Sequence, residues 1–434
     1  MNSWLRSVYR AVVAKPVIGV VAEYLATYVW VKTQIVSSQR IKDLDLIRTE
    51  RTSDNFQNHT ILICRSFLFN SPSGISNWVQ SIAESLVANS NGTVVVLCQS
   101  DSREEISWKS SRGYLVSQIP ITGRINFEKL AFIHSWNNAV RNYLNNSQFN
   151  VQKIVAPLAG LEGLGVPPQY EDELITLLVT THSMNRLSQQ NSTNKSLDTR
   201  SQKIFELERN YLGRKKGEFV ADSNQVIHDL EEFYGLNFFK SPKVIYIGFR
   251  NDMCEISVPD DTFLFIGRCD YRKDISTLLT AWSLFHQNND DHNLIIVTSP
   301  GDDHLNWLNL MELRKANELN ITVLLDVDES YKHKLLRKAK VTIVPSVYES
   351  FGMVAAEALM HGNRVIVTLS GGLPEVVSTD GAFFQPRDSN FLAMMMINFS
   401  SPQFLDDRLA IASRSRSRFS LETMGTNFIN RFRD

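Results

Sequence analysis

The run Val344–Leu359, VPSVYESFGMVAAEAL, joins an apolar strand to a helix through a loop that carries Glu349. A helix beginning near Phe351-Gly352 leaves its first-turn amides without internal partners, and its dipole favours negative charge there. Gly352, Met353 and Val354 can therefore present N–H groups to phosphate or hydroxyl oxygens, and Gly352 allows a ligand to approach the backbone closely. Glu357 lies about one and a half turns further along, where a carboxylate can accept hydrogen bonds from vicinal ribose hydroxyls. Glu349 faces a different part of the same ligand. Singly, Glu349 reads equally well as a solvated loop acid and Glu357 as a surface helix position; together, in one strand–loop–helix run, they form an anion-binding device.

The elements that must position this device follow from the texture of the chain. After the polar stretch Arg48–His59, short apolar runs alternate with longer amphipathic ones. Expected strands are Ile61–Cys64, Val94–Cys98, Lys153–Ala156, Leu174–Thr180, Phe219–Ala221 and Val244–Ile247, with helices at Ile75–Ala88, Phe127–Leu144 and Gln225–Tyr234, the last capped by Ser223. The rhythm repeats with strands Phe263–Ile266, Leu294–Thr298, Ile321–Leu325, Val341–Val344 and Val365–Thr368. Helices Ser276–His286, Leu305–Leu319, Tyr331–Lys338 and Val354–His361 separate them. His361 with Gly362 reads as a helix end. Strands alternating with helices predict parallel sheets covered on both faces. Two such series, joined near Phe238–Ser241, predict two doubly wound α/β domains with the ligand in the crevice between them, at the carboxyl ends of the strands. Asn185–Ser201 is polar and reads as a mobile loop, and Leu421–Phe432 as a short amphipathic helix capped by Ser420.

The Val344–Leu359 run resembles the signature of family-4 glycosyltransferases, retaining enzymes of the GT-B fold whose two glutamates share the spacing of Glu349 and Glu357. Phe265–Lys273, FIGRCDYRK, looks like the family's strand-end Gly-Arg followed by Lys. The resemblance implies that Arg268 and Lys273 hold the donor diphosphate, and two cations at a strand end suit a pyrophosphate that lacks a metal. It also implies that Phe351, Gly352, Met353, Val354 and Glu357 line the donor. Gly371–Val377 is similar to the loop and helix after the family's next strand, where Glu375 simply begins a helix. Ser73–Trp78 looks like the family's glycine-containing first loop, which implies backbone contact from Gly74 to the donor phosphate or the acceptor. Val179–Ser183 resembles its strand-end histidine, which implies that His182 sits beside the transferred sugar. The resemblance spans Thr60–Phe432, with residues 1–57 outside it. It departs from the family at Asp274 and Asp326, where glycine is usual, and at Arg364, where proline is common; these leave the base identity open.

What the resemblance implies is a GT-B protein with two Rossmann-like domains facing a central cleft. An extension (1–57) would precede an acceptor-side domain (58–240), a nucleotide-sugar domain (241–400) and C-terminal helices (401–434) packing back toward the first domain. The expected activity is transfer of a hexose-type sugar from a UDP- or GDP-sugar to a glycan or lipid-linked acceptor, with retention, in polysaccharide or glycolipid biosynthesis. Negative charge on the leaving phosphate is met by Arg268, Lys273 and the helix amides, so no metal or other cofactor is expected. The leaving phosphate helps deprotonate the acceptor, and Glu349 orients sugar hydroxyls. Alternatives on the same architecture are a nucleotide-sugar epimerase, a phosphorylase (for which no pyridoxal phosphate signal is found) and a catalytically silent donor-binding partner of a polysaccharide assembly.

Bulk properties agree. The 434 residues suit two α/β domains, and 43% hydrophobic with 21% charged residues excludes a disordered chain. A net charge of −1 gives no reason to expect nucleic acid as a partner. Cys64, Cys98, Cys254 and Cys269 form no CxxC pair and read as free thiols of a cytoplasmic protein rather than a zinc site. Pro16–Val31 is shorter than the ~20 apolar residues of a membrane span and contains Glu23. The arm to Lys42 nevertheless combines Arg6, Arg10, Lys15, Lys32, Arg40 and Lys42 with five aromatics, Trp4, Tyr9, Tyr24, Tyr28 and Trp30. Such a segment suits either the inner face of an anionic membrane or the protein's own surface.

Overall fold

The computed structural model describes residues 44–49, 58–68, 74–89, 92–100, 104–121, 129–147, 149–189, 199–251, 256–316, 319–400 and 408–432. The basic arm, Ser73, Cys254 and positions 190–198 of the polar loop lie outside the described residues.

The described residues fall into two units, one from 44 to Gly248 with the segment from Leu421 onward, the other Phe249–Ser420. In the first unit the strands are β1 (Leu46–Thr49), β2 (Asn58–Ile63), β3 (Thr93–Ser100), β4 (Ile106–Ser110), β5 (Leu115–Pro120), β6 (Asn150–Pro157), β7 (Leu174–Leu178), β8 (Glu218–Ala221) and β9 (Lys243–Val244). They form one sheet of order β1-β4-β5-β3-β2-β6-β7-β8-β9. From β5 through β3 and β2 to β9 every pairing is parallel, as the apolar runs predict. The far edge corrects the all-parallel expectation. There β4 and β5 form an antiparallel hairpin, and β1 pairs antiparallel with β4. The reason is a tight turn: the Gly113 amide bonds to Ser110 O at 2.9 Å with Gly113 at φ +96°, a conformation that strains any side chain.

Helices α1 (Gly74–Asn89), α2 (Lys129–Asn146), α3 (His182–Gln189), α4 (Thr199–Leu212) and α5 (Asn224–Tyr234) accompany this sheet. The expected Ser223 cap is present, its side chain accepting from Val226 N at 3.2 Å. The polar segment Asn185–Ser201 is not wholly a loop, because its two ends are the last residues of α3 and the first of α4. The core packs Ile61, Ile63, Val95, Leu97 and Ile154 against Trp136 and Val140.

The second unit has a six-stranded, wholly parallel sheet: β10 (Thr262–Ile266), β11 (Asn293–Thr298), β12 (Ile321–Leu325), β13 (Val341–Val344), β14 (Arg364–Thr368) and β15 (Gly381–Phe384). Its order is β12-β11-β10-β13-β14-β15. The chain travels outward from β10 to β12, then returns to β13 and continues to β15, so the order reverses beside β10. With right-handed crossovers this puts α6 (Ile275–His286) and α7 (His304–Ala316) on one face, and α8 (Glu329–Lys338), α9 (Met353–Met360) and α10 (Leu373–Val377) on the other. Helices α11 (Ser389–Ser400) and α12 (Arg408–Phe419) complete the unit, and α13 (Leu421–Phe432) packs on α1 of the first unit. Trp282, Phe285, Phe263 and Leu294 are fully buried between α6 and the sheet; each contributes roughly 1.5–3 kcal/mol of burial. Cys64, Cys98 and Cys269 are buried free thiols. Among the described residues no helix is long and apolar enough to cross a membrane.

Candidate functional site

At the carboxyl edge of the second sheet, β10 ends at Ile266 and the chain turns through a short 3-10 helix, Tyr271–Lys273. Asp274 closes the turn at φ +46°, the left-handed conformation that glycine adopts without strain. Its carboxylate also caps α6, accepting from Thr277 N at 3.4 Å and from Thr277 Oγ1 at 2.7 Å. An aspartate here thus adopts a glycine's backbone conformation and adds a cap.

That turn brings Arg272 and Lys273 against the loop after β13. Lys273 Nζ bonds to Glu349 Oε1, and Arg272 Nη1 to Glu349 Oε2 at 3.3 Å and to Tyr348 O at 3.1 Å. Ser346 Oγ donates to Glu349 Oε1 at 2.8 Å. Two residues 76 positions apart in sequence are thereby joined. Burial works against the charge of Glu349, but Lys273, Arg272 and Ser346 outweigh it and hold the carboxyl at about 2. Burial pulls the Lys273 ammonium below the usual lysine range, with Glu349 opposing and Arg272 adding to the pull. The pair is charged, because Glu349 answers two cations at once. Two cations thus converge on one carboxylate in the loop before α9. Gly371 closes over this loop: at φ +55°, a Cβ on it would lie 1.9 Å from Glu349 O, and Gly372 N bonds to the same oxygen at 2.8 Å.

Gly352 precedes α9 at φ +96°, with no side chain capping the helix start. Met353 and Val354, half-buried, are its first two residues. Phe351 turns its ring inward against Phe419, 5.7 Å between centroids, and is buried, so its side chain does not face a ligand. Glu357 sits on the inner side of α9, 8% exposed, where its Oε1 accepts from Lys332 Nζ at 2.7 Å. Lys332 also contacts Glu329 at 2.7 Å. Burial works against both charges. The two carboxylates nevertheless raise Lys332 above the usual lysine range, while burial, with Glu329 adding to it, raises Glu357 against the pull of Lys332. His361 ends the helix, as expected, and bonds to His333 at 2.9 Å.

Arg268 is held apart from this group. Its guanidinium is 54% exposed and bonds to Asp270 Oδ2 at 2.5 Å rather than to Glu349. Asp270 Oδ1 in turn accepts from Asp302 N at 3.2 Å, which fixes the loop after β11.

Gly74 and His182 belong to the first unit, where Gly74 opens α1 after β2 and His182 opens α3 after β7. His182 N and Ser183 N donate to the buried Glu208 carboxylate at 3.0 and 3.4 Å, and Tyr234 Oη donates to it at 2.7 Å. Glu208 therefore caps α3 from α4 and fixes the backbone on which His182 stands. Arg272, Lys332 and Glu208 are partners that sequence reasoning missed, since each acts across tens of residues.

A further buried acid lies where β2 and β6 meet, the point at which strand order reverses in the first sheet. Glu162 Oε2 accepts from Arg65 N at 3.0 Å, and burial, opposed by Arg65, raises its carboxyl from 4.5 to about 7. A raised acid binds its proton more tightly in the folded state. The stability it supplies is therefore complete below 4.5 and is lost as pH rises toward about 7. Glu162→Gln should flatten that decline, worth about 3 kcal/mol, in denaturant titrations across this window.

Residues 255–416 match the sequence model of the family described as "Glycosyl transferases group 1". An uncharacterized glycosyltransferase of Methanocaldococcus jannaschii is 32% identical over 151 residues, 34% of this chain and 37% of that protein. The chain thus matches well under half the length of this curated relative. Among solved structures, sucrose-phosphate synthase from Thermosynechococcus elongatus superposes with a TM-score of 0.70 at 19% identity, over 87% of this chain and 98% of the other. Anabaena HepE in complex with UDP-glucose does so with a TM-score of 0.62 at 16% identity, over 86% and 99%. Residues 255–416 are thus similar to the group 1 glycosyl transferases, and the chain that carries them has the GT-B fold.

Proposed function

We propose that the chain transfers a hexose-type sugar from a UDP- or GDP-sugar to a glycan or lipid-linked acceptor, with retention at the anomeric carbon. The observation that carries this reading is the junction of Lys273 and Arg272 with Glu349 directly before the uncapped start of α9. Cleavage of a sugar–phosphate bond leaves negative charge on a diphosphate. Cations gathered beside the uncapped first turn of a helix are suited to that charge without a metal. Arg268, exposed and held by Asp270, would add a third cation at the same sheet edge. Glu349, saturated by cations and ionised down to about 2, is suited to holding Lys273 and orienting sugar hydroxyls rather than to attack or proton transfer. Anabaena HepE, solved with UDP-glucose, supports a nucleotide sugar as donor.

The test is a panel of UDP- and GDP-sugars assayed for slow hydrolysis and, with candidate glycan acceptors, for transfer. Turnover with release of the nucleoside diphosphate is expected. Interconversion of the sugar with nucleotide release and no need of an acceptor would point to the epimerase, and tight donor binding with no turnover to the silent partner. Glu357→Ala should raise the donor KM by about tenfold or more while leaving kcat within a few-fold, because it removes a ribose contact made equally in ground and transition states. An unchanged KM would remove Glu357 from the donor site.

A further inference from the structure

Glu357 occupies an unusual environment. Its neighbours on α9, Ala355, Ala356, Ala358, Leu359 and Met360, are all fully buried, and an ionised carboxylate among them is costly unless it is paired. The partner comes from another helix. Lys332 lies in the first turn of α8, is itself 9% exposed, and places Nζ 2.7 Å from Glu357 Oε1 and 2.7 Å from Glu329 Oε2. The second carboxylate oxygen of Glu357 has no hydrogen-bond partner among the described residues. An ion pair kept only for stability would be replaceable by apolar side chains at no loss. Here one oxygen is clamped and the other is left available, at the carboxyl edge of the sheet.

We propose that Lys332 is a positioning residue for the donor: by holding Glu357 Oε1 it fixes the carboxylate so that Oε2 meets the ribose hydroxyls of the nucleoside diphosphate. Glu329 shares the ammonium and keeps it over α9 instead of in solvent. This inference rests on the donor reading given above, and it extends that reading from α9 to α8.

The test is calorimetric binding of UDP and GDP to the full chain, each compared with its 2′-deoxy counterpart. A hydrogen bond to a charged group is worth about tenfold or more in affinity, so wild type should bind the preferred ribonucleotide at least about tenfold more tightly than the deoxynucleotide. Lys332→Met should bring this ratio close to one with little change in affinity for the deoxynucleotide, and Lys332→Arg should keep most of it. Lys332→Gln retains a donor without the charge and serves if the methionine variant does not fold; it should lose most of the ratio. In a Glu357→Gln background the lysine substitution should have no further effect on the ratio. A purely structural lysine would weaken both nucleotides equally, and that result, or a ratio unchanged in Lys332→Met or Lys332→Gln, overturns the proposal. Failure of wild type to bind either nucleotide would instead bring down the donor reading, and this inference with it.

Discussion

Replacing Lys273 by alanine should lower kcat for transfer from a nucleotide sugar by about 10²-fold or more, and Arg268→Ala should do the same, the size expected when a preorganised stabiliser of developing charge is lost. The two substitutions test the idea in different ways. Arg268 is more than half exposed and, among the described residues, pairs with Asp270 alone, so its removal should leave stability within about 0.5 kcal/mol and report on chemistry directly. Lys273 is half-buried and bonded to Glu349, so its loss also leaves a carboxylate with Arg272 and Ser346 as remaining partners. Some destabilisation must accompany it. Steady-state kinetics together with thermal melts separate the two contributions. Full activity in both variants would remove these cations from the reaction.

Acid should destabilise the second unit through Glu349. A carboxyl held at about 2 when folded, against 4.5 ordinarily, binds its proton more weakly in the native state. The stability it contributes is therefore complete above 4.5 and is lost as pH falls toward about 2, roughly 3 kcal/mol in all. Glu349→Gln should flatten stability across that window. At neutral pH it should be less stable than wild type, because the half-buried Lys273 and Arg272 then lose the carboxylate that faces them both. This window lies below that of Glu162, and the slopes have opposite signs, so one set of denaturant titrations from acid to neutral pH resolves both. An unaltered acid limb in Glu349→Gln would show that the Lys273–Glu349 contact does not form in solution.

Parallel strands buried on both faces are the most legible elements in a sequence, and the apolar runs place β10 to β14 within a residue or two for that reason. The antiparallel edge is less legible. Ile106–Ser110, ISWKS, is half-buried and mixes polar with apolar residues, and β15 opens on glycine, so neither carries a continuous apolar run. The ends of the polar segment Asn185–Ser201 are helical, and the start of α3 is held by Glu208 from α4, a tertiary contact that local composition does not record. Within the site, the glutamates and Lys273 were legible because they lie in one short run and one strand end. Their partners Arg272, Lys332 and Ser346 had no signal beyond being ordinary surface-type residues. Two departures from the family pattern have a backbone explanation. Asp274 and Asp326 adopt φ +46° and +50°, the left-handed region in which a glycine is unstrained, so both stand in a backbone conformation that suits glycine. Arg364, in place of a proline, lies over the ring of Phe399, 5.6 Å from its centroid.

The most direct measurement is a crystal structure of the full chain with UDP or GDP, whichever binds. The predicted result is a diphosphate whose oxygens lie within about 3 Å of Lys273 Nζ and of the Met353 and Val354 amides, with the ribose at Glu357. A diphosphate bound elsewhere, with Lys273 and Glu349 still closed on each other and α9 uncontacted, would contradict it.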